Sequence, residues 1–431
     1  MGILSWTQYS PLENGNSLMD PLAFDYFAQQ LGNEILPSFT TRTERARYYT
    51  VVLYGLYLAQ KYLKETGDGV VHEKDILEYF KKYERLWAKA VVCSYDIIQE
   101  RDEHETGLRG KRGAIANREK KSLDYQFLTR QLELGGLGAY RSSLEDLGLL
   151  NENLKLTQKG LRIIETINSK YEYWINDSIN TQKVTFLDRG PITFRSFGKF
   201  FRLDSELTKN KERNILISSI IENPKNYQAI NYICTEFERK HDITVEEVIK
   251  NISEKVNENP ENKSVIESFI TIRNFENLAI VINYIFSRMF FYSSASYGSV
   301  EVKTLLQDDG IKNAFQRLSN ESLISKILES PKYSILLNKT HGNAFHLFLK
   351  NFSNFSIKDS ERFLIQIIDY HQTVMKKRNV NSWLICNGNN IDYCMSSNYG
   401  RGASLNGYLH SYKIYNIINI AKDLGWNSNE R

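Results

Sequence analysis

LDYQFLTRQLELGGLGAYRSSLEDLGLLNENLKLTQKGLRIIETI, residues 123–167, changes its hydrophobic period several times within one supersecondary unit, and its reading sets the fold. Leu123 to Leu134 carries apolar residues at helical spacing, and Gly135, Gly136 and Gly138 break the run. Tyr140 to Leu147 starts a second helix, with Gly148 as its C′ stop. Leu149-Leu150, the polar turn Asn151-Glu152-Asn153 and Leu154-Lys155-Leu156 read as a small β-hairpin. Thr157 is an N-cap for a helix through Ile163, Ile164 and Ile167, because its hydroxyl can satisfy an orphan amide. Helix, helix, hairpin and helix are the parts of a winged-helix-like module, placed at residues 123–181.

Ahead of this unit, Tyr49, Val52, Leu53, Leu56, Gln60 and Leu63 share one helical stripe that Gly67 ends. Ile76, Phe80, Tyr83, Trp87 and Val91 form a second. Both stripes read as core packing. The first 40 residues, with Pro11, Pro21 and Pro37, form an irregular arm with one short helix around Pro21 to Leu31. Residues 101–121, RDEHETGLRGKRGAIANREKK, read as an exposed basic loop that closes an N-terminal helical lobe, 1–122. Behind the module, 182–205 is a connector and 206–378 a helical domain. That domain holds the stripe Tyr227, Ile230, Cys234, Phe237 and two capping boxes, Thr244 with Glu247 and Ser356 with Asp359. Residues 379–431 supply a hairpin from Trp383 to Met395, turning at Asn387-Gly388, and a final helix through Leu424. The fold class is mainly α: a multi-lobed helical protein with a winged-helix-like module and small β-hairpins.

The chain has 431 residues, 42% apolar and 25% charged, enough to bury sizeable cores. Its 55 basic and 51 acidic residues leave a net charge of +4, so any nucleic-acid function rests on local clustering, not on the total. Four scattered cysteines without a CxxC pair suit a reducing cytosol. The opening MGILSWTQYS lacks the pattern of a signal peptide. Leu278 to Phe291, the most apolar run, is interrupted by Asn283, Ser287 and Arg288 and falls short of the roughly 20 apolar residues of a membrane span. The expectation is a buried helix and a cytoplasmic protein without a membrane partner.

Arg109, Lys111, Arg112, Arg118, Lys120 and Lys121 face one acid, Glu119, within fifteen residues. Clustered cations bind phosphates largely through counterion release, so these six are the candidate nucleic-acid contacts. Gly110 and Gly113 would allow the backbone to approach a phosphate. The second helix of the module carries Arg141 against Glu145 and Asp146, and the wing only Lys155, which argues against reading of the major groove. Arg42, Arg45 and Arg47, in TTRTERARYY, stand at a helix start, where cations are unfavourable unless paired. They require a carboxylate or an anion, with an internal acid favoured.

Signals for chemistry are sparse. Glu301-Val302-Lys303 is half of a metal-nuclease motif, but no aspartate lies between it and Asp242. His341 and His346 share no helical face, and His371 lies on an apolar stripe as a core histidine. There is no HExxH, no zinc spacing, no P-loop and no nucleophile elbow; Gly400-Arg401-Gly402 is a lone G-x-G. No catalytic residue, cofactor or metal is expected.

Gly2-Ile3-Leu4-Ser5-Trp6 and the run from Ile35 to Tyr49, ILPSFTTRTERARYY, resemble the opening of a bacterial family encoded in antiphage-defence and DNA-modification islands. Its members carry "LGW"-like and "LFPG-S-IQTRARYF"-like segments. Gly110 to Ala114, Leu137 to Leu150, Arg378 to Gly388 and Asp423 to Trp426 are similar to its later stretches, while Ser38 departs from its usual glycine. The resemblance implies a non-catalytic accessory subunit of a defence complex, working beside helicase or nuclease subunits and contacting DNA. A protein-only scaffold or phage-protein sensor, and a cryptic metal-dependent nuclease, stay open as alternatives.

Overall fold

The structure, a computed structural model, describes residues 20–67, 71–95, 107–167, 169–184, 194–203, 211–255, 262–296, 298–337, 340–394 and 403–426. Among them are twenty α-helices and one small antiparallel sheet, so the protein is mainly helical. The two N-terminal stripes become α2 (Arg47–Thr66) and α3 (Glu73–Cys93), after a short α1 (Phe24–Ile35). A six-residue α4 (Lys111–Ala116) follows. The segment that opened the sequence reading gives α5 (Gln131–Leu134), α6 (Gly136–Asp146) and α7 (Gln158–Ile164). Then come α8 (Glu172–Thr181), α9 (Phe194–Phe200) and α10 (Lys211–Leu216).

The C-terminal half is built on α11 (Tyr227–Arg239), α12 (Val245–Ser253) and the 33-residue α13 (Lys263–Ala295). Shorter helices surround them: α14 (Val302–Leu305), α15 (Asp309–Asn320), α16 (Leu323–Leu328), α17 (Ser334–Leu337) and α18 (Gly342–Lys350). The long α19 (Ser360–Lys377) and the last helix, α20 (Ile414–Asp423), complete the set. Both expected capping boxes form. The Glu247 carboxylate accepts from the Thr244 amide at 2.8 Å and the Thr244 hydroxyl from the Glu247 amide at 3.2 Å, which starts α12. Ser356 and Asp359 do the same at a 3-10 turn that leads into α19.

Helix α13 holds the expected apolar run, with Phe269, Ile272, Phe275, Ile282, Phe286 and Phe290 essentially inaccessible. Among the described residues it alone is long and apolar enough to cross a membrane, and 61% of its most apolar window is buried inside the protein. Helix α1 packs on it, with Phe24 and Phe27 edge-on to Phe275. Helix α20 packs on α11, and α9 on α3. The sheet joins β1 (Ser299–Glu301), β2 (Leu384–Asn387) and β3 (Asn390–Tyr393) in the order β1-β3-β2, all antiparallel. The hairpin lies where Asn387-Gly388 placed it, with Gly388 at φ +62°.

Three local expectations are corrected. Leu123 to Leu134 is helical only from Gln131, because the Leu123 amide donates to Gln182 O and the Val184 amide to Lys121 O. Those bonds draw the start of the run into an antiparallel bridge, Ser122 with Lys183. The hairpin after α6 is reduced to one bridge, Leu150 with Leu156. The expected helix breakers Gly136 and Gly138 lie inside α6, where their lack of a side chain permits packing. A Cβ on Gly138 would meet Glu133 O at 2.2 Å, and one on Gly136 the Tyr48 ring at 2.9 Å.

Candidate nucleic-acid interface

The basic stretch of residues 107–121 is not a plain loop. Gly110, at φ +70°, turns the chain into α4, which packs against α3 and buries Ala114. A Cβ on Gly110 would lie 2.2 Å from the Phe127 ring, and one on Gly113 2.8 Å from Phe127 O. These glycines therefore admit Phe127, not a phosphate, which corrects the sequence expectation.

The six candidate cations divide by what their side chains touch. Arg109 is half-buried. Its guanidinium donates to Leu134 O at 3.2 Å and Arg42 O at 2.8 Å, and its amide to the Tyr48 hydroxyl at 2.8 Å. Lys111 is half-buried at the start of α4. Arg112, Lys120 and Lys121 are exposed. Arg118 is partly exposed, and Glu119, itself 88% exposed, lies 3.8 Å away.

Lys89 lies beneath this stretch, fully buried on α3. Its ammonium donates to the carbonyls of Lys120 and Ser122, the latter at 3.2 Å, and sits 5.1 Å over the Tyr125 ring. Burial draws it down to about 8, aided by the charge of Lys120 and opposed by Cys93. These bonds hold the backbone of residues 120–122 inward and leave the Lys120 and Lys121 side chains in solvent. The Ser122–Lys183 bridge then places exposed Lys183 beside this stretch. Arg195 of α9 approaches Cys93 along with Arg118 and Lys89; burial raises that thiol against the pull of the three cations. Arg195 and Lys199, four residues apart on α9, are both exposed.

Sequence reading found neither Lys89 nor the contribution of Lys183, Arg195 and Lys199. None of them stands in a run of like charge. The cluster exists because α9 packs on α3, and no local pattern announces that contact.

The arginine triplet adjoins the start of this stretch, where Arg109 bonds Arg42 O, and turns inward. Arg42 donates to Glu133 O at 2.9 Å. Arg45 Nε pairs with Asp423 Oδ2 at 2.9 Å, and its Nη2 donates to Leu203 O at 2.9 Å. Arg47, only 2% exposed, lies 3.3 Å from Glu212 Oε1 at an angle that makes no hydrogen bond, and donates through Nη1 to Phe200 O. Burial lowers the Arg47 guanidinium from its ordinary value, against the charges of Glu212 and Asp423.

Glu301 ends β1 while Lys303 lies in the first turn of α14, so the acid and the lysine do not share a strand. Among the described residues no three His, Cys, Asp or Glu side chains gather as a metal site. His371 is inaccessible: Nδ1 bonds Pro21 O and Nε2 the Trp383 amide, each at 2.9 Å. Gly2 to Trp6 and Gly400-Arg401-Gly402 lie outside the described residues. Comparison of the chain with family models, with curated proteins and with solved structures gives no match.

Proposed function

We propose that the chain is a non-catalytic accessory subunit of a bacterial antiphage defence complex, and that it holds nucleic acid on the face formed by α3, α4 and α9. One observation supports the contact above all. Arg112, Lys120, Lys121, Lys183, Arg195 and Lys199 stand exposed on neighbouring elements, and no carboxylate among the described residues pairs with them. Unpaired exposed cations release little when they meet a phosphate, so the counterions freed from the nucleic acid appear as net affinity. Lys89 adds a buried ammonium that carbonyls hold and that no carboxylate among the described residues pairs with.

The defence setting rests on the family resemblance, as does the expectation of helicase or nuclease subunits as partners. The reading of residues 123–181 as a winged-helix-like module belongs to this proposal, and within that stretch α6 is used for packing. That helix turns Tyr140 and Ser143 inward, and its Arg141 is held by Glu145 at 2.9 Å and Glu73 at 3.5 Å.

The test is a binding titration at several salt concentrations with wild type and an Arg112→Ala/Lys120→Ala/Lys121→Ala variant. Each lost duplex phosphate contact lowers the slope of log K against log salt by about 0.9. An unchanged affinity and slope in the variant would remove this reading. A pull-down from the host with and without nuclease treatment addresses the partners. A helicase or nuclease subunit retained after treatment supports the complex; its absence in both samples counts against it.

A further inference from the structure

Three side chains of α3 meet the backbone carbonyls at the end of the basic stretch. Arg85 donates through Nη1 to Leu123 O at 3.3 Å, and Lys89 through Nζ to Ser122 O at 3.2 Å and to Lys120 O. The Cys93 thiol donates to Arg118 O at 3.8 Å. Residues four apart lie on one face of a helix, so Arg85, Lys89 and Cys93 form a ladder of donors along α3. The Tyr125 hydroxyl joins it from the other chain segment, donating to Arg85 O at 2.9 Å. Between the two carbonyls that Lys89 holds, Lys121 O accepts from the Val184 amide instead. Each carbonyl from 120 to 122 therefore has a donor, and the backbone between them is fixed.

Lys89 is the central rung. It is inaccessible, and no carboxylate among the described residues pairs with it. An apolar side chain of similar volume often serves stability as well as a buried charge does, or better. What the ammonium supplies here is direction. It selects the carbonyls that face α3, and with them the side on which Lys120 and Lys121 leave the chain; both side chains are exposed. The same bonds set the backbone that meets Val184 beside the Ser122–Lys183 bridge, so the place of Lys183 depends on them too.

We infer that Lys89 is a positioning residue of the cationic face: itself buried away from any phosphate, it directs Lys120 and Lys121 outward and so sets the affinity for nucleic acid. The inference rests on the proposed nucleic-acid contact and names the group that orders it.

The experiment is a double-mutant cycle, read by fluorescence anisotropy with a labelled DNA duplex over a series of salt concentrations. The proteins are wild type, Lys89→Met, Lys120→Ala/Lys121→Ala and the triple combination, with the fold of each checked by circular dichroism. Lys89→Met removes no exposed cation, yet it should lower the slope of log K against log salt by at least about 0.9, the value of one phosphate contact. Adding Lys120→Ala/Lys121→Ala to it should then change affinity and slope less than the same pair does in wild type. Lys89→Gln, shorter and uncharged, carries the same cycle should Lys89→Met not fold. A residue that only stabilises the fold, or a buried charge acting at a distance, would give losses that add. Additive losses, an unchanged slope in the Lys89 variant, or a wild type indifferent to Lys120→Ala/Lys121→Ala overturns this inference alone. Absence of binding by wild type at low salt overturns the proposed function with it.

Discussion

Arg45 and Asp423, 378 positions apart in the chain, meet at 2.9 Å with most of each side chain buried. The same carboxylate accepts the Ala46 amide at 3.0 Å, so it neutralises an arginine and caps the entry of α2 together. Removing one partner leaves a largely buried charge alone, so Asp423→Ala should cost about 3 kcal/mol in urea denaturation. The Arg45→Ala/Asp423→Ala double variant should lose less than the sum of the two single variants. Additive losses would show that the pair contributes no coupling.

Arg109 and Lys121 stand twelve residues apart in the basic stretch but make different contacts. Arg109 donates two hydrogen bonds to carbonyls of the fold, whereas Lys121 is exposed. Arg109→Ala should lower stability by about 1–3 kcal/mol and leave the salt slope of binding unchanged. Lys121→Ala should do the reverse, with an unchanged melting temperature and a slope smaller by about 0.9. If Arg109→Ala alone flattened the slope, Arg109 would belong to the interface.

Gly110→Ala combines a left-handed backbone with a Cβ 2.2 Å from the Phe127 ring. The conformational strain alone is about 1–2 kcal/mol, and displacement of Phe127 adds to it. A drop of more than about 2 kcal/mol in chemical denaturation is expected. Normal stability with weakened nucleic-acid binding would instead restore the role of this glycine as a phosphate approach.

His410 bridges two carboxylates, Asp25 at 2.9 Å and buried Glu276 at 2.5 Å. Burial alone would lower its imidazolium, but Glu276 and the hydrogen bonds to both acids outweigh that and raise it to about 10. A folded value above the ordinary 6.5 means a stabilisation fully present below pH 6.5 and lost as pH rises towards 10. The difference in melting temperature between wild type and His410→Gln should therefore shrink steadily across that window. A difference independent of pH would contradict the bridge.

His371 shows the opposite sign. Burial lowers it to about 4, with the charge of Arg378 adding and the Pro21 carbonyl opposing. On acidification the unfolded chain takes up this proton first, so stability is lost between pH 6.5 and about 4. An NMR titration should find the ring still neutral at about pH 5, holding Pro21 O through Nδ1–H and accepting from Trp383 through Nε2. A midpoint near 6.5 would contradict the depression of this buried ring.

Much of the helical architecture was legible because its determinants are local. The stripe from Tyr49 to Leu63, the Thr244–Glu247 and Ser356–Asp359 boxes and the Asn387-Gly388 turn each act over a few residues, where spacing and backbone preference suffice. The charge content of Arg109 to Lys121 was equally plain. Which of those cations face solvent was not, since Arg109 is drawn inward by carbonyls of Arg42 and Leu134 and Lys120 is held from below by Lys89. The addition of Lys183, Arg195 and Lys199 to the cluster depends on the Ser122–Lys183 bridge and on α9 lying against α3, and the Arg45 partner waits at the far end of the chain. Spacing and propensity carry no record of such pairings. They are chosen when buried surfaces and backbone hydrogen bonds are matched across the whole molecule, and only the tertiary structure holds that choice.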